Sequence, residues 1–135
     1  MRDLAVIKVP SDPKYLSVIR AVTAKVGELS GLSDRAVEDV KLAVDEACSN
    51  VIRHAYGGDP TRSILIKFKK TEVGFEVLIE DEGLKARPGS IKGRSLDDVR
   101  PGGLGIHLIR RAFDLFSFDP RKKTGNRLSM VRYWE

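Results

Sequence analysis

The stretch "DEACSNVIRHAYGG" (residues 45–58) decides how the rest of the chain is read. Ala47, Cys48, Val51 and Ala55 repeat at helical spacing, yet Glu46, Asn50 and His54 recur among them at steps of four. On an α-helix such steps fall on one stripe, each residue about 6 Å from the next. The segment therefore reads as a helix with an apolar face for a core and, beside it, a line of carboxylate, amide and imidazole. Gly57 and Gly58 end it.

Upstream, Val37, Val40 and Val44 extend the same apolar face, so the helix runs from about Ser33 to Tyr56. Before it, "SDPKYLSVIRAVTAKVGELSG" (11–31) predicts another helix, with Asp12 as N-cap, Pro13 at its first position and Gly31 as its stop. Its expected buried stripe is Leu16, Ile19, Val22, Val26 and Leu29. "LAVIKV" (4–9) reads as a strand. Downstream, "SILIKFKK" (63–70) and "FEVLIED" (75–81) alternate with period two and form a hairpin, with Ile64, Ile66, Phe68, Phe75, Val77 and Ile79 inward.

Residues 83–101, "GLKARPGSIKGRSLDDVRP", carry no periodicity and are long for a simple connection. "GGLGIHLIRRAFDLF" (102–116) then predicts a third helix with Leu104, Leu108, Ala112 and Leu115 on one side. "FSFDP" and "RLSMVRYW" close the chain as two strands around "RKKTGN" (121–126). This order predicts a two-layer α/β sandwich of the α+β kind: three helices on one face of a mixed, mostly antiparallel sheet.

Composition narrows the function. At 135 residues the chain reads as one domain, large enough to bury a core without staples. No apolar run approaches the ~20 residues of a membrane span, and the start lacks a signal-peptide pattern, so a cytoplasmic protein with no membrane partner is expected. One cysteine, Cys48, and two histidines exclude an internal disulfide and a cysteine-rich zinc site. The formal charge of +5 suits an anionic partner. The basic residues at 110–123 lack aromatic interleaving and any known DNA-binding pattern, so no direct nucleic-acid partner is expected.

Three polar segments remain: the stripe 46/50/54, "EDEG" (80–83) at the end of a strand, and "RPGGLG" (100–105) at the start of a helix. Each alone has an ordinary reading, as solvated surface, turn or loop end. Together they fit a nucleotide site. Glycines at a helix start let backbone amides approach phosphates, and the helix dipole adds partial positive charge. The chain has no GxxxxGK[ST] motif, so phosphate charge needs a divalent cation. Asn50 offers a carbonyl oxygen for Mg²⁺, with Glu46 one turn away.

"DEACSNVIRHAYGG", "EDEG" and "RPGGLGIHLIRR" resemble, in order, the N, G1 and G2 boxes of the Bergerat-fold (GHKL) ATPases, a superfamily that includes DNA gyrase, histidine kinases and heat-shock chaperones. The short length and "GGLGIHLIRRAFD" are most similar to the bacterial anti-sigma factor serine/threonine kinases. The resemblance covers nearly the whole chain and implies a single ATP-binding kinase domain over 1–135 that uses ATP and Mg²⁺. It implies that Glu46 is the general base and that Asn50 holds Mg²⁺. Asp81 would accept a hydrogen bond from the adenine amino group, and Gly83 would leave room for the ring. Residues 83–101 would be the ATP lid, and Gly103, Leu104 and Gly105 would open the phosphate-binding helix.

In "GNRLSM" (125–130) the resemblance places Ser129 near Asp81 and the adenine; by its own pattern Ser129 is equally a strand residue facing solvent. The implied partners are a STAS-type anti-sigma factor antagonist, which receives the phosphate, and a sigma factor, which the chain sequesters. Close relatives form homodimers, a state the sequence leaves open here, and an alternative is an ATP-binding switch that does not phosphorylate its partner. The chain departs from the family at Lys85, where G1 usually has a further glycine, at Pro101, between Arg100 and the glycines, and at Asn126, where many relatives have threonine.

Overall fold

β1 (Arg2–Pro10) opens the chain, and its alternation turns Ala5, Ile7 and Val9 inward while Leu4, Val6 and Lys8 stay exposed. The computed structural model describes residues 2–86 and 104–135. After β1, Asp12 caps a single 3₁₀ turn at Pro13–Tyr15, its side chain accepting from the Lys14 N–H. α1 (Leu16–Leu29) follows, and Gly31, at φ +92°, ends that segment in the left-handed region expected of a helix stop. α2 (Asp34–Asn50) starts behind Ser33, whose hydroxyl accepts from the Ala36 N–H.

The remaining elements are β2 (Ser63–Lys70), β3 (Gly74–Asp81), α3 (described from Leu104 to Ala112), β4 (Leu115–Phe118) and β5 (Asn126–Tyr133). The five strands lie in the order β1-β2-β3-β5-β4. All four pairings are antiparallel, which places the sheet at the antiparallel end of the mixed arrangement expected. Two apolar rows cross its helix-facing side in register. One is Ile7, Ile66, Ile79, Leu128 and Phe118; the other is Ala5, Phe68, Val77, Met130 and Phe116. Against these rows pack Ile19 of α1, Val40, Val44, Ala47 and Cys48 of α2, and Ile109 and Ala112 of α3. Three helices on one face of a sheet is the architecture expected.

Three local expectations change. The buried line of α1 is Ile19, Thr23 and Gly27, whereas Leu29 is 75% exposed. The reason is close helix packing: the Thr23 hydroxyl donates to the Ile19 carbonyl, and a Cβ at Gly27 would stand 3.4 Å from Leu32 and 3.5 Å from Val37. Small residues let α1 approach α2; larger ones sit at the flanks. Leu115 is not on α3. The helix ends at Ala112, the Asp114 N–H pairs with the Val131 carbonyl, and Leu115 begins β4 on the exposed side of the sheet.

The third change bears on function. After Asn50 the helix widens into a π-helical turn at Val51–Ala55, closed by the Tyr56 N–H donating to the Val51 carbonyl five residues back. Gly57 (φ +57°) and Gly58 (φ +86°) then turn the chain away, with the Gly58 N–H capping the Ile52 carbonyl. Such widened turns concentrate at functional sites.

Candidate functional site

Glu46 and Asn50 lie one turn apart on α2, beside the core line of Ala47 and Cys48, and both are partly buried. A single guanidinium nitrogen, Nη2 of Arg53, donates to Glu46 Oε1 at 3.2 Å and to Asn50 Oδ1 at 2.8 Å. Both oxygens therefore converge on one cationic nitrogen. His54, which straight-helix spacing puts on the same stripe, is exposed, and Arg53 makes the contacts instead. Neighbouring Asp45 is turned aside by Arg20 of α1, at 2.7 Å.

Asp81 closes β3 on the helix-facing side, continuing the inward alternation of Phe75, Val77 and Ile79. It is only 4% exposed, where an apolar residue would be ordinary. Its Oδ1 accepts from the Gly83 N–H at 2.9 Å and from Asn126 Nδ2 at 3.0 Å, and its Oδ2 takes a longer bond from the same Nδ2 at 3.3 Å. Burial pushes the Asp81 carboxyl above its ordinary range, while the Gly83 N–H, the Asn126 amide and the charge of Lys122 pull it back.

Gly83 joins the two clusters. Its N–H turns back to Asp81, and a Cβ there would lie 2.9 Å from the Ala55 Cβ, 2.5 Å from its carbonyl carbon and closer still to its oxygen. The Leu84 N–H donates to that same Ala55 carbonyl at 2.8 Å. Glycine at 83 is thus required by contact with the π turn that follows Asn50, a reason that lies in the folded protein itself. Tyr56 strengthens the seam: its part-buried hydroxyl donates to the Ser63 carbonyl and accepts from the Glu82 N–H, and Arg62 lies over its ring at 4.7 Å.

Ser129 is corrected. In register it faces Leu78, three residues from Asp81, and its hydroxyl donates to Glu76 Oε2 at 2.7 Å on the sheet side away from the helices. The residue opposite Asp81 is Asn126. Parity is the cause: strand neighbours alternate faces, so 126 and 129 cannot share one. Leu104 and Gly105 belong to the backbone of α3, which packs on α2. Gly103, Arg100, Pro101 and positions 87–101 of the expected lid lie outside the described residues.

Arg53, Asn126, Tyr56 and Lys85 are the residues that sequence reasoning missed as parts of the site. Lys85 Nζ donates to the carbonyls of Lys122 and Gly125, binding the "EDEGLK" segment to the β4–β5 turn. For Asn126 a signal existed, since extending the inward alternation of Leu128 and Met130 by one step reaches it.

A family model described as a histidine kinase-like ATPase domain matches residues 9–132. The chain belongs to this family. Among proteins similar to this ATPase-family domain is the serine-protein kinase RsbW of Bacillus subtilis (strain 168), 30% identical over 97% of the chain and 86% of the relative. The RsbW kinase of Listeria innocua serovar 6a is 32% identical over 84% of the chain and 78% of its own length. In fold, the domain is like the histidine kinase domain of the Erythrobacter litoralis EL346 blue-light activated histidine kinase. The TM-score is 0.58 at 15% identity, over 92% of this chain and 61% of that one. None of the described helices is long and apolar enough to cross a membrane.

Proposed function

We propose that the chain is an ATP-dependent serine/threonine protein kinase acting as a cytoplasmic anti-sigma factor. In this reading it phosphorylates a STAS-type antagonist and sequesters a sigma factor when that antagonist is phosphorylated. One observation carries the reading: Glu46 Oε1 and Asn50 Oδ1 converge on a single cationic nitrogen, at the helix end that Gly83 joins to the buried Asp81. Similarity to the RsbW serine-protein kinases supplies the reaction class.

The donor chemistry fits Mg²⁺. Both oxygens are hard donors, and among the described residues no group of three or more His, Cys, Asp or Glu could cage a metal alone. Mg²⁺ commonly takes one or two protein oxygens and completes its shell from phosphate and water. Asn50 would hold it, and bound there it would neutralise charge on the triphosphate.

The chain's own groups do the rest. Asp81, buried at the end of β3, accepts from the adenine amino group, and Glu46 accepts the proton of the incoming serine or threonine hydroxyl as it attacks the γ-phosphate. Leu104 and Gly105, with Gly103 before them, supply backbone N–H groups to the phosphates. An ion pair between Arg111, in the last turn of α3, and Asp39, in the first half of α2, supports an antiparallel pairing. That pairing would bring the start of α3 beside Glu46 and Asn50.

The test is transfer of labelled γ-phosphate from ATP to candidate antagonist proteins by the wild type and by Glu46→Gln. The substitution should keep Mg-ATP binding and slow transfer by about 10²- to 10⁴-fold. Undiminished transfer would remove Glu46 from the role. Nucleotide-sensitive association without any phosphoprotein would favour the non-catalytic switch.

A further inference from the structure

Ion pairs elsewhere among the described residues tie separate elements together. Lys67, Glu80, Arg127 and Asp119 link β2, β3, β5 and the end of β4, and Arg20 of α1 holds Asp45 of α2. Arg53 joins no second element. Among the described residues its side-chain bonds go to Glu46 and Asn50 of its own helix, the two oxygens that the proposed chemistry needs for itself.

We propose that Arg53 is a built-in occupant of the cation position. Until nucleotide arrives its guanidinium satisfies Glu46 and Asn50, and Mg²⁺ reaches Asn50 only as Arg53 lets go, so loading with Mg-nucleotide is an exchange of one cation for another. The proposal rests on the reading of Asn50 as the holder of Mg²⁺ and of Glu46 as the base.

The two cations exclude each other. A guanidinium carries five donors and no acceptor and keeps its charge throughout the physiological pH range, so it cannot become a ligand of the metal. Nη2 lies 2.8 Å from Asn50 Oδ1, and Mg²⁺ binds an oxygen at ~2.1 Å, so an ion on that oxygen would stand within about 5 Å of the nitrogen, positive charge against positive charge. Exposure decides which group moves. The Arg53 side chain is 52% exposed and that of Glu46 18%, so water can receive the guanidinium while the carboxylate stays in place on α2. An ion pair with one partner this exposed is easily broken. Asp45 offers Arg53 no other seat, since Arg20 holds it at 2.7 Å.

The exchange needs no backbone movement. Arg53 lies within the π turn, where the Tyr56 N–H bonds the Val51 carbonyl at 2.9 Å and the Leu84 N–H bonds the Ala55 carbonyl at 2.8 Å. Its backbone is therefore held on both sides, and the long side chain swings on its own rotatable bonds. Release also frees Glu46 Oε1, so the base becomes available at the step in which metal and phosphate arrive.

The experiment measures ADP binding by calorimetry across a series of Mg²⁺ concentrations and reads the Mg²⁺ concentration that gives half the full gain in affinity. Arg53→Gln should lower that concentration roughly 2- to 5-fold, the factor carried by an ion pair of this exposure. Arg53→Lys, which keeps a cation able to lie between the two oxygens, should retain most of the wild-type requirement. In a Glu46→Gln background, where the ion pair no longer exists, Arg53→Gln should shift the requirement less. An equal shift in both backgrounds would mark a general effect of charge and overturn the proposal. So would a Mg²⁺ requirement that rises in Arg53→Gln, which would make the guanidinium a phosphate contact. A Mg²⁺-dependent wild type whose requirement Arg53→Gln leaves unmoved overturns this inference alone. A wild type that binds ADP equally with and without Mg²⁺ refutes the reading of Asn50, and this inference with it.

Discussion

Gly83→Ala separates two reasons for a glycine at the G1 position. Were the glycine kept only to make room for a bound ring, the substitution would leave the ligand-free fold intact. The geometry gives another expectation. The added methyl would sit 2.5 Å from the Ala55 carbonyl carbon and 2.9 Å from its Cβ, against the 3.4 Å at which ordinary contact begins. The backbone at 83 must withdraw by roughly 1 Å from the π turn. That shift breaks the Leu84 N–H bond to the Ala55 carbonyl, now 2.8 Å, and loosens the Gly83 N–H bond to Asp81. A lost backbone bond costs about 0.5–1.5 kcal/mol and the overpacking about 1–3 kcal/mol. The ligand-free protein should therefore lose roughly 2–4 kcal/mol, a fall in Tm on the order of 10 °C. Urea unfolding without nucleotide measures it directly. A variant within about 0.5 kcal/mol of wild type would refute the claim that Ala55 dictates the glycine.

Two further outcomes follow from buried groups. Because burial raises the Asp81 carboxyl, its stabilising contribution is complete only below the ordinary carboxylate range and is lost as pH rises through its folded value. Asp81→Asn should therefore unfold at a higher temperature than wild type at pH 7, with the difference closing toward pH 4, while nucleotide affinity is lost; a gap that widens on acidification would contradict this. Cys48 is fully buried and its thiol is held far above its ordinary range, first by desolvation and then by the charge of Asp45. A thiol reagent should label it only through unfolding, and in Gly83→Ala the labelling should quicken by at least roughly 30-fold. Rapid labelling of the native wild type would show that the α2 core line opens locally.

Much of the fold was legible because amphipathic spacing is a local property. Alternation marked β1, β2 and β3, and helical spacing marked α2, whatever lay opposite them. Leu115 was misplaced because an apolar residue one helical turn past Ala112 fits a helical stripe as well as a strand start, and only the pairing of Asp114 with Val131 distinguishes them. Leu29 was misplaced because spacing ranks residues by hydrophobicity, whereas two closely packed helices select the small ones, Thr23 and Gly27.

For the candidate site, the amino-acid order by itself determined that Glu46 and Asn50 share a helix face, and that Asp81 ends an inward-facing strand, since backbone periodicity sets both. Alternation turned Asn126 inward and Ser129 outward, but only the tertiary structure set Asn126 opposite Asp81, because the partner depends on the register between β3 and β5. The tertiary structure also decided that Arg53, and not His54, spans Glu46 and Asn50, and that Gly83 must have no side chain. Both follow from a π turn held at its end by Tyr56 and packed against the chain after β3, a long-range contact that no local spacing encodes.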